Sequence, residues 1–148
     1  RNRDTGECTS HISHSRGPGG WSAAAAGNAR RARVIGAPRT RTTGMNMFSA
    51  MCSDITKLME RNQLRPEDVA YIIPHQANKR IIDFACQRLG FPKEKIYVNI
   101  DRYGNTSSAS IPIALDELNR QRQLHKGDKI ILSAFGGGLA NAACLITW

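Results

Sequence analysis

The sequence predicts an α/β layered fold. Apolar stripes at helical spacing alternate with short apolar runs of strand length, and turns rich in glycine or proline separate them. From about residue 47 onward the predicted order is helix, strand, helix, strand, helix, strand, strand. Met51, Ile55, Leu58 and Met59 fall at i, i+4, i+7 and i+8, one face of an amphipathic helix. The stretch LRPED (64–68) ends that helix in a turn, and residues 69–73 read as a buried strand. Ile81, Ile82, Ala85, Cys86 and Leu89 form a second stripe, closed by Gly90 and Pro92. Residues 95–100 read as another strand. Ile111, Leu115 and Leu118 mark a third helix, with Pro112 in the first turn, where a missing N–H is tolerated. HKGD (125–128) is a turn. The apolar runs 129–135 and 139–148 then flank Gly136, Gly137 and Gly138.

The first 44 residues differ in texture. They are dominated by Gly, Ser, Ala, Arg and Thr, show no apolar period and contain RGPGG at 16–20, so the sequence predicts no element there. Eight arginines against Asp4 and Glu7 give this segment +6, while residues 45–148 carry thirteen basic and ten acidic groups, +3. All eight basic residues of the first segment are Arg, whereas the remainder mixes six Lys with seven Arg. Two divisions follow: residues 1–44, a disordered extension or the product of a shifted reading frame, and a domain over 45–148. No aromatic interleaving or binding module accompanies the arginines, which argues against nucleic acid as the partner. Cys8, His11 and His14 cluster in the tail at a spacing that matches no zinc site, so no metal is expected. Four widely spaced cysteines indicate a reducing compartment. No apolar run approaches the roughly eighteen residues of a membrane span, and no apolar segment of a signal peptide follows the first arginines.

Sites in open α/β sheets gather beyond the carboxyl ends of strands. Three features lie at such predicted ends: His75 in PHQAN, Asn105 in YGNTS, and the Gly136–Gly138 turn. A neutral imidazole, a carboxamide and a backbone N–H free of a neighbouring Cβ are all donors suited to an oxygen that gains charge. Blander readings stand beside each. His75 can be satisfied locally at a strand end, Asn105 can serve a turn, and the glycines can form a tight hairpin.

Three longer stretches, IPHQANKRII, NIDRYGNTSSASIPIALDE and AFGGGLANAA, resemble in order and spacing the C-terminal half of beta-ketoacyl-acyl-carrier-protein synthase III. The resemblance runs from about residue 48 to Trp148. It implies the C-terminal half of a thiolase-like αβαβα layered fold. It also implies an acyltransferase of fatty-acid biosynthesis, which condenses acyl-CoA with malonyl-acyl-carrier protein to give 3-ketoacyl-carrier protein. His75 and Asn105 match the catalytic histidine and asparagine. Gly137 matches an oxyanion-hole donor, and Asn78 a residue of the pantetheine channel. Phe135 matches a residue packed near the nucleophile, for which a core role serves equally. Arg80 matches a basic residue at the channel mouth suited to an acidic carrier protein, or else belongs to a solvated helix face. The resemblance further implies a homodimer, a cytoplasmic bacterial enzyme (a plastid stroma being the second choice) and no cofactor beyond its substrates.

The sequence also departs from that family. The nucleophilic cysteine lies in the family's first half, and none of Cys8, Cys52, Cys86 or Cys144 stands where it would. Leu139-Ala140-Asn141-Ala142 replaces an aromatic-bearing stretch after the glycines. The expectation is therefore a truncated or mis-joined synthase III, holding the His/Asn part of the site and inactive alone. Its rivals are a related thiolase-fold acyltransferase of secondary metabolism and a non-catalytic fragment that binds carrier protein.

Overall fold

The computed structural model describes residues 31–37, 44–136 and 140–148. The Cys8, His11 and His14 cluster and Gly137 lie outside the described residues. Four strands form one sheet in the order β1-β4-β3-β2. They are β1 (Arg31–Ala37), β2 (Tyr71–Pro74), β3 (Lys129–Gly136) and β4 (Ala140–Thr147). β2 and β3 are parallel, while β4 runs antiparallel to both β3 and β1. The helices are α1 (Gly44–Arg61), α2 (Lys79–Leu89), a single turn α3 (Ile100–Tyr103) and α4 (Ser110–Arg120).

The sheet separates two cores. On one face, Met51, Ile55 and Leu58 of α1 and Ile82 and Ala85 of α2 pack on Ile72, Ile131, Ala143 and Leu145. On the other, Ala114 and Leu118 of α4 pack on Ile73, Ile130, Ile146 and Trp148. Successive strand residues therefore alternate between the two cores, as the pleat requires, and both faces of β3 are covered. This explains why β3 reads as a continuous apolar run rather than an alternating one. The first stripe seen in the sequence is the buried face of α1, and Ile82 and Ala85 of the second are buried on α2. On α4 Leu118 is buried with Ala114, while Ile111 and Leu115 of the expected stripe are partly buried. Burial of five side chains such as Ile55, Leu58, Ile82, Ile131 and Leu118, each under 2 % exposed, contributes about 1.5–3 kcal/mol apiece.

Two elements differ from expectation. The sequence reading placed nothing in residues 1–44, yet Arg31–Ala37 pairs along the whole of β4, from Arg31 opposite Thr147 to Ala37 opposite Asn141. The segment RARVIGA has no period of its own. What makes it a strand is the hydrogen-bonding edge of β4, whose backbone groups need partners. Second, the predicted strand at 95–100 is not one. Lys93–Lys95 forms a 3-10 turn, Ile96 makes a single parallel bridge to Ile72, and Tyr97 N–H donates to Ile72 O at 3.0 Å. Beyond that point a side chain replaces the neighbouring strand. The Gln76 carboxamide donates to Tyr97 O (3.2 Å) and accepts from Asn99 N–H (3.1 Å). The chain then turns into α3. The Lys95 ammonium fastens the start of this segment, donating to the carbonyls of Pro66, Glu67 and Val69 at 2.8–3.2 Å.

Candidate active site

β2 ends at Pro74, opposite Ser133. His75 extends the pairing by one bond, its N–H donating to Ser133 O at 2.7 Å. The ring turns toward the start of α4, where Nδ1 lies 2.6 Å from Ser110 Oγ. The same oxygen accepts the Gln76 backbone N–H at 3.3 Å. Phe135, near the end of β3, meets the imidazole edge-on, with ring centroids 5.3 Å apart and an interplanar angle of 71°. It also packs against the core beneath α1, the core role that served equally for it. Partial burial pushes the His75 pKa below the usual histidine value, so the ring is neutral near pH 7.

Asn105 follows α3 through Gly104, whose φ of +66° suits glycine. Its Oδ1 accepts the Ser107 N–H at 2.9 Å, an Asx turn. With the carbonyl end held, the NH₂ end is the part of the carboxamide left to donate. His75, Asn105, Ser110 and Phe135 line one cavity of about 610 Å³, closed on the far side by Gly136 and by Ala140–Ala142 of β4. Asn141 contributes to that wall and donates to the carboxylate of Asp54, which is buried on α1.

The remaining expected residues sit apart from the cavity. Asn78 is exposed and caps α2, its Oδ1 accepting Arg80 N–H at 2.9 Å. Arg80 is exposed on the first turn of α2. Cys52 is buried in α1, where desolvation pushes its thiol up against a weaker opposing pull from Arg88. That is the reverse of what activates a nucleophile. Cys144 lies within β4 and Cys86 on α2. Among the described residues, no three His, Cys, Asp or Glu side chains gather as a metal site, and no helix is long and apolar enough to cross a membrane.

Three site residues were missed by reasoning on the sequence: Ser110, Gln76 and Asn99. Gln76 is 1 % exposed, and its carboxamide also donates to Pro74 O at 2.8 Å, so it stitches the His75 loop to the segment before α3. Asn99 continues outward, its Nδ2 donating to Glu117 Oε2 at 3.0 Å, and Glu117 accepts from Arg102. Burial raises the Glu117 carboxyl, but hydrogen bonds from Asn99, Tyr97 and Arg102 outweigh it and hold the group below the ordinary carboxylate range. A glutamine directly after the histidine, in a loop with few other polar anchors, was the available signal.

Residues 59–148 match the family described as 3-oxoacyl-[acyl-carrier-protein (ACP)] synthase III C terminal. A beta-ketoacyl-[acyl-carrier-protein] synthase III of Clostridium novyi is 53% identical over 100 residues, covering 68% of this chain and 31% of the relative. One from Roseiflexus is 55% identical over 85 residues, 57% of this chain and 26% of its own length. Among solved structures, a synthase III of Aquifex aeolicus aligns with a TM-score of 0.70 and 37% identity, over 82% of this chain and 44% of that one. A Thermus thermophilus synthase III aligns at 0.66 and 45%, over 73% and 35%. The chain thus spans under a third of the length of these curated relatives. With its fold thiolase-like and its residues 59–148 matched throughout, the chain belongs to the synthase III C-terminal family.

Proposed function

We propose that this chain supplies the carbanion-forming part of a condensing site in beta-ketoacyl-acyl-carrier-protein synthase III, at the start of fatty-acid synthesis. The observation that carries the reading is that His75 and Asn105, thirty positions apart, line one cavity, each with its other polar end engaged. Malonyl-carrier binds with its thioester oxygen at these donors. The bond to the carboxylate breaks, carbon dioxide leaves, and the electron pair passes into an enolate whose oxygen takes the two hydrogen bonds. The enolate carbon then attacks an acyl-cysteine thioester, giving 3-ketoacyl-carrier and releasing the thiolate. Donors that titrate neither way at neutral pH stabilise that oxyanion without consuming a proton. Removing one such donor typically costs about 10²–10³ in rate. The substrate generates its own carbanion by losing carbon dioxide, so the chemistry calls for no resident cofactor.

The cysteine nucleophile is supplied from outside this chain, by the first half of the fold, in a cytoplasmic homodimer. Gly137 contributes a backbone donor for the acyl-cysteine oxygen. Asn78 lies along the pantetheine path, and exposed Arg80 receives the acidic carrier protein. In this reading the domain includes the edge strand β1, so its boundary falls before Arg31 rather than near residue 44. Assayed with acyl-CoA and malonyl-carrier, the purified chain is expected to release no carbon dioxide and form no acyl-enzyme. Sustained turnover by the chain alone would overturn the half-site reading.

A further inference from the structure

We infer that Ser110 is a positioning residue that sets the tautomer of His75, donating its hydroxyl proton to Nδ1 and so leaving the ring proton on Nε2. The inference deepens the proposed function and rests on it only for its consequence, since the contact itself is a property of the folded chain.

Ser110 is 2 % exposed at the first position of α4. Its oxygen has one proton to give and two lone pairs to receive. Gln76 N–H occupies one lone pair at 3.3 Å. A buried hydroxyl that finds no acceptor carries a desolvation cost, so its proton has to go somewhere. Among the described residues the acceptor within reach is His75 Nδ1, at 2.6 Å, a normal length for a hydroxyl donor. The opposite arrangement, with Nδ1–H donating to Oγ, fills both serine lone pairs and strands its own buried proton. The bookkeeping of donors and acceptors therefore closes in one way. Burial of the ring disfavours the imidazolium, so one of its two nitrogens is left able to accept.

Its consequence lies at the other ring nitrogen. Nε2 carries the proton and has no partner among the described residues, while His75 lines the cavity. Ser110 thus converts an imidazole that can present either a donor or an acceptor into one that presents a donor. An oxygen gaining negative charge needs that form, and the Nδ1–H form would present it with a lone pair. Gln76 supports the arrangement from behind. Its side chain, tied to Pro74, Tyr97 and Asn99, fixes the backbone N–H that orients the serine oxygen.

The test is ring ¹⁵N spectroscopy on the full 148-residue chain, without substrate, above the pKa of a free histidine. The His75 signals are assigned through His75→Gln. In the wild-type chain we expect an Nε2–H ring favoured about tenfold or more, with Nδ1 shifted toward the protonated range by the hydrogen bond. In Ser110→Ala, Nδ1 moves to the unbonded position and the tautomer ratio falls to that of free histidine. Ser110→Thr, which keeps the hydroxyl, restores the wild-type signature. An Nδ1–H ring in the wild-type chain would overturn the inference with no variant needed, so a variant that fails to fold does not shelter it. Wild-type ring signals in Ser110→Ala would overturn it as well. Because the readout is independent of turnover, an intact enzyme that ignores His75 would remove the enzymatic reading and leave this contact standing.

Discussion

Replacing Gln76 with leucine, a side chain of similar volume, removes three hydrogen bonds at once. Pro74 O and Tyr97 O lose the donors at 2.8 and 3.2 Å, and Asn99 N–H loses its acceptor at 3.1 Å. Gln76 is 1 % and Asn99 2 % exposed, so water does not take over without a local opening. An orphaned buried polar group costs about 1–3 kcal/mol. The N–H, with one valence, belongs near the middle of that range, and the two carbonyls, each keeping a second lone pair, near its bottom. The sum is about 4 kcal/mol, and the apolar gain from leucine offsets about 1 kcal/mol of it. A net loss of about 3 kcal/mol is a large share of the 5–15 kcal/mol that a domain possesses. Urea denaturation of wild type and variant at equal slope measures it. Gln76→Glu should do no better. It keeps an acceptor for Asn99 but turns a carboxylate oxygen toward two carbonyl oxygens. A loss under about 1 kcal/mol for the leucine variant, or a benign glutamate, would refute the view that this side chain stands in for a strand.

Two further outcomes follow from single groups. His75 has a folded pKa below its unfolded value of about 6.5. Its stability contribution is therefore full above about pH 6.5 and lost as the pH falls through the lowered folded value. Urea midpoints across that window should drop for wild type and stay flatter for His75→Gln, while Glu117 and Asp68, both held below the ordinary carboxylate range, act in a separate and more acidic window. Ser133 is 1 % exposed and its Oγ has no hydrogen-bond partner among the described residues. Ser133→Ala should thus be neutral or stabilise by about 1 kcal/mol in the same denaturation assay, and a loss beyond about 1 kcal/mol would reveal a partner.

Much of the layered fold was legible because its helices bury one face each. Met51, Ile55 and Leu58, then Ile82 and Ala85, then Ile111, Leu115 and Leu118, announce period 3.6 and end on recognisable turns, though the deepest contact of the third helix is Ala114, which the stripe did not include. Gly90, with φ of +67°, closes α2 as its position suggested. What escaped was set by partners far along the chain. β1 exists through β4, more than a hundred residues on, and no local pattern in RARVIGA reports that. Residues 95–100 carry strand-like composition, but the neighbour they meet after Ile96 is a glutamine side chain, and side-chain mimicry of a peptide leaves no periodic trace. The site follows the same division. His75 stood out at a strand end, Asn105 in a Gly-Asn turn although the strand expected before it is absent, and Phe135 only through the resemblance; the cavity joins all three. Ser110 was one serine in the run SSAS, and only the fold selects it for the histidine. Asn78 was named only through the resemblance, and the contact it makes within the chain is a helix cap.

The most direct measurement follows carbon dioxide release and acyl-cysteine formation separately in an intact synthase III that carries this C-terminal sequence. His75→Ala should lower release from malonyl-carrier by about 10²–10³ and leave acylation of the cysteine near its wild-type rate. Equal loss of both steps, or loss of neither, would contradict the assignment of His75 to the decarboxylating half of the reaction.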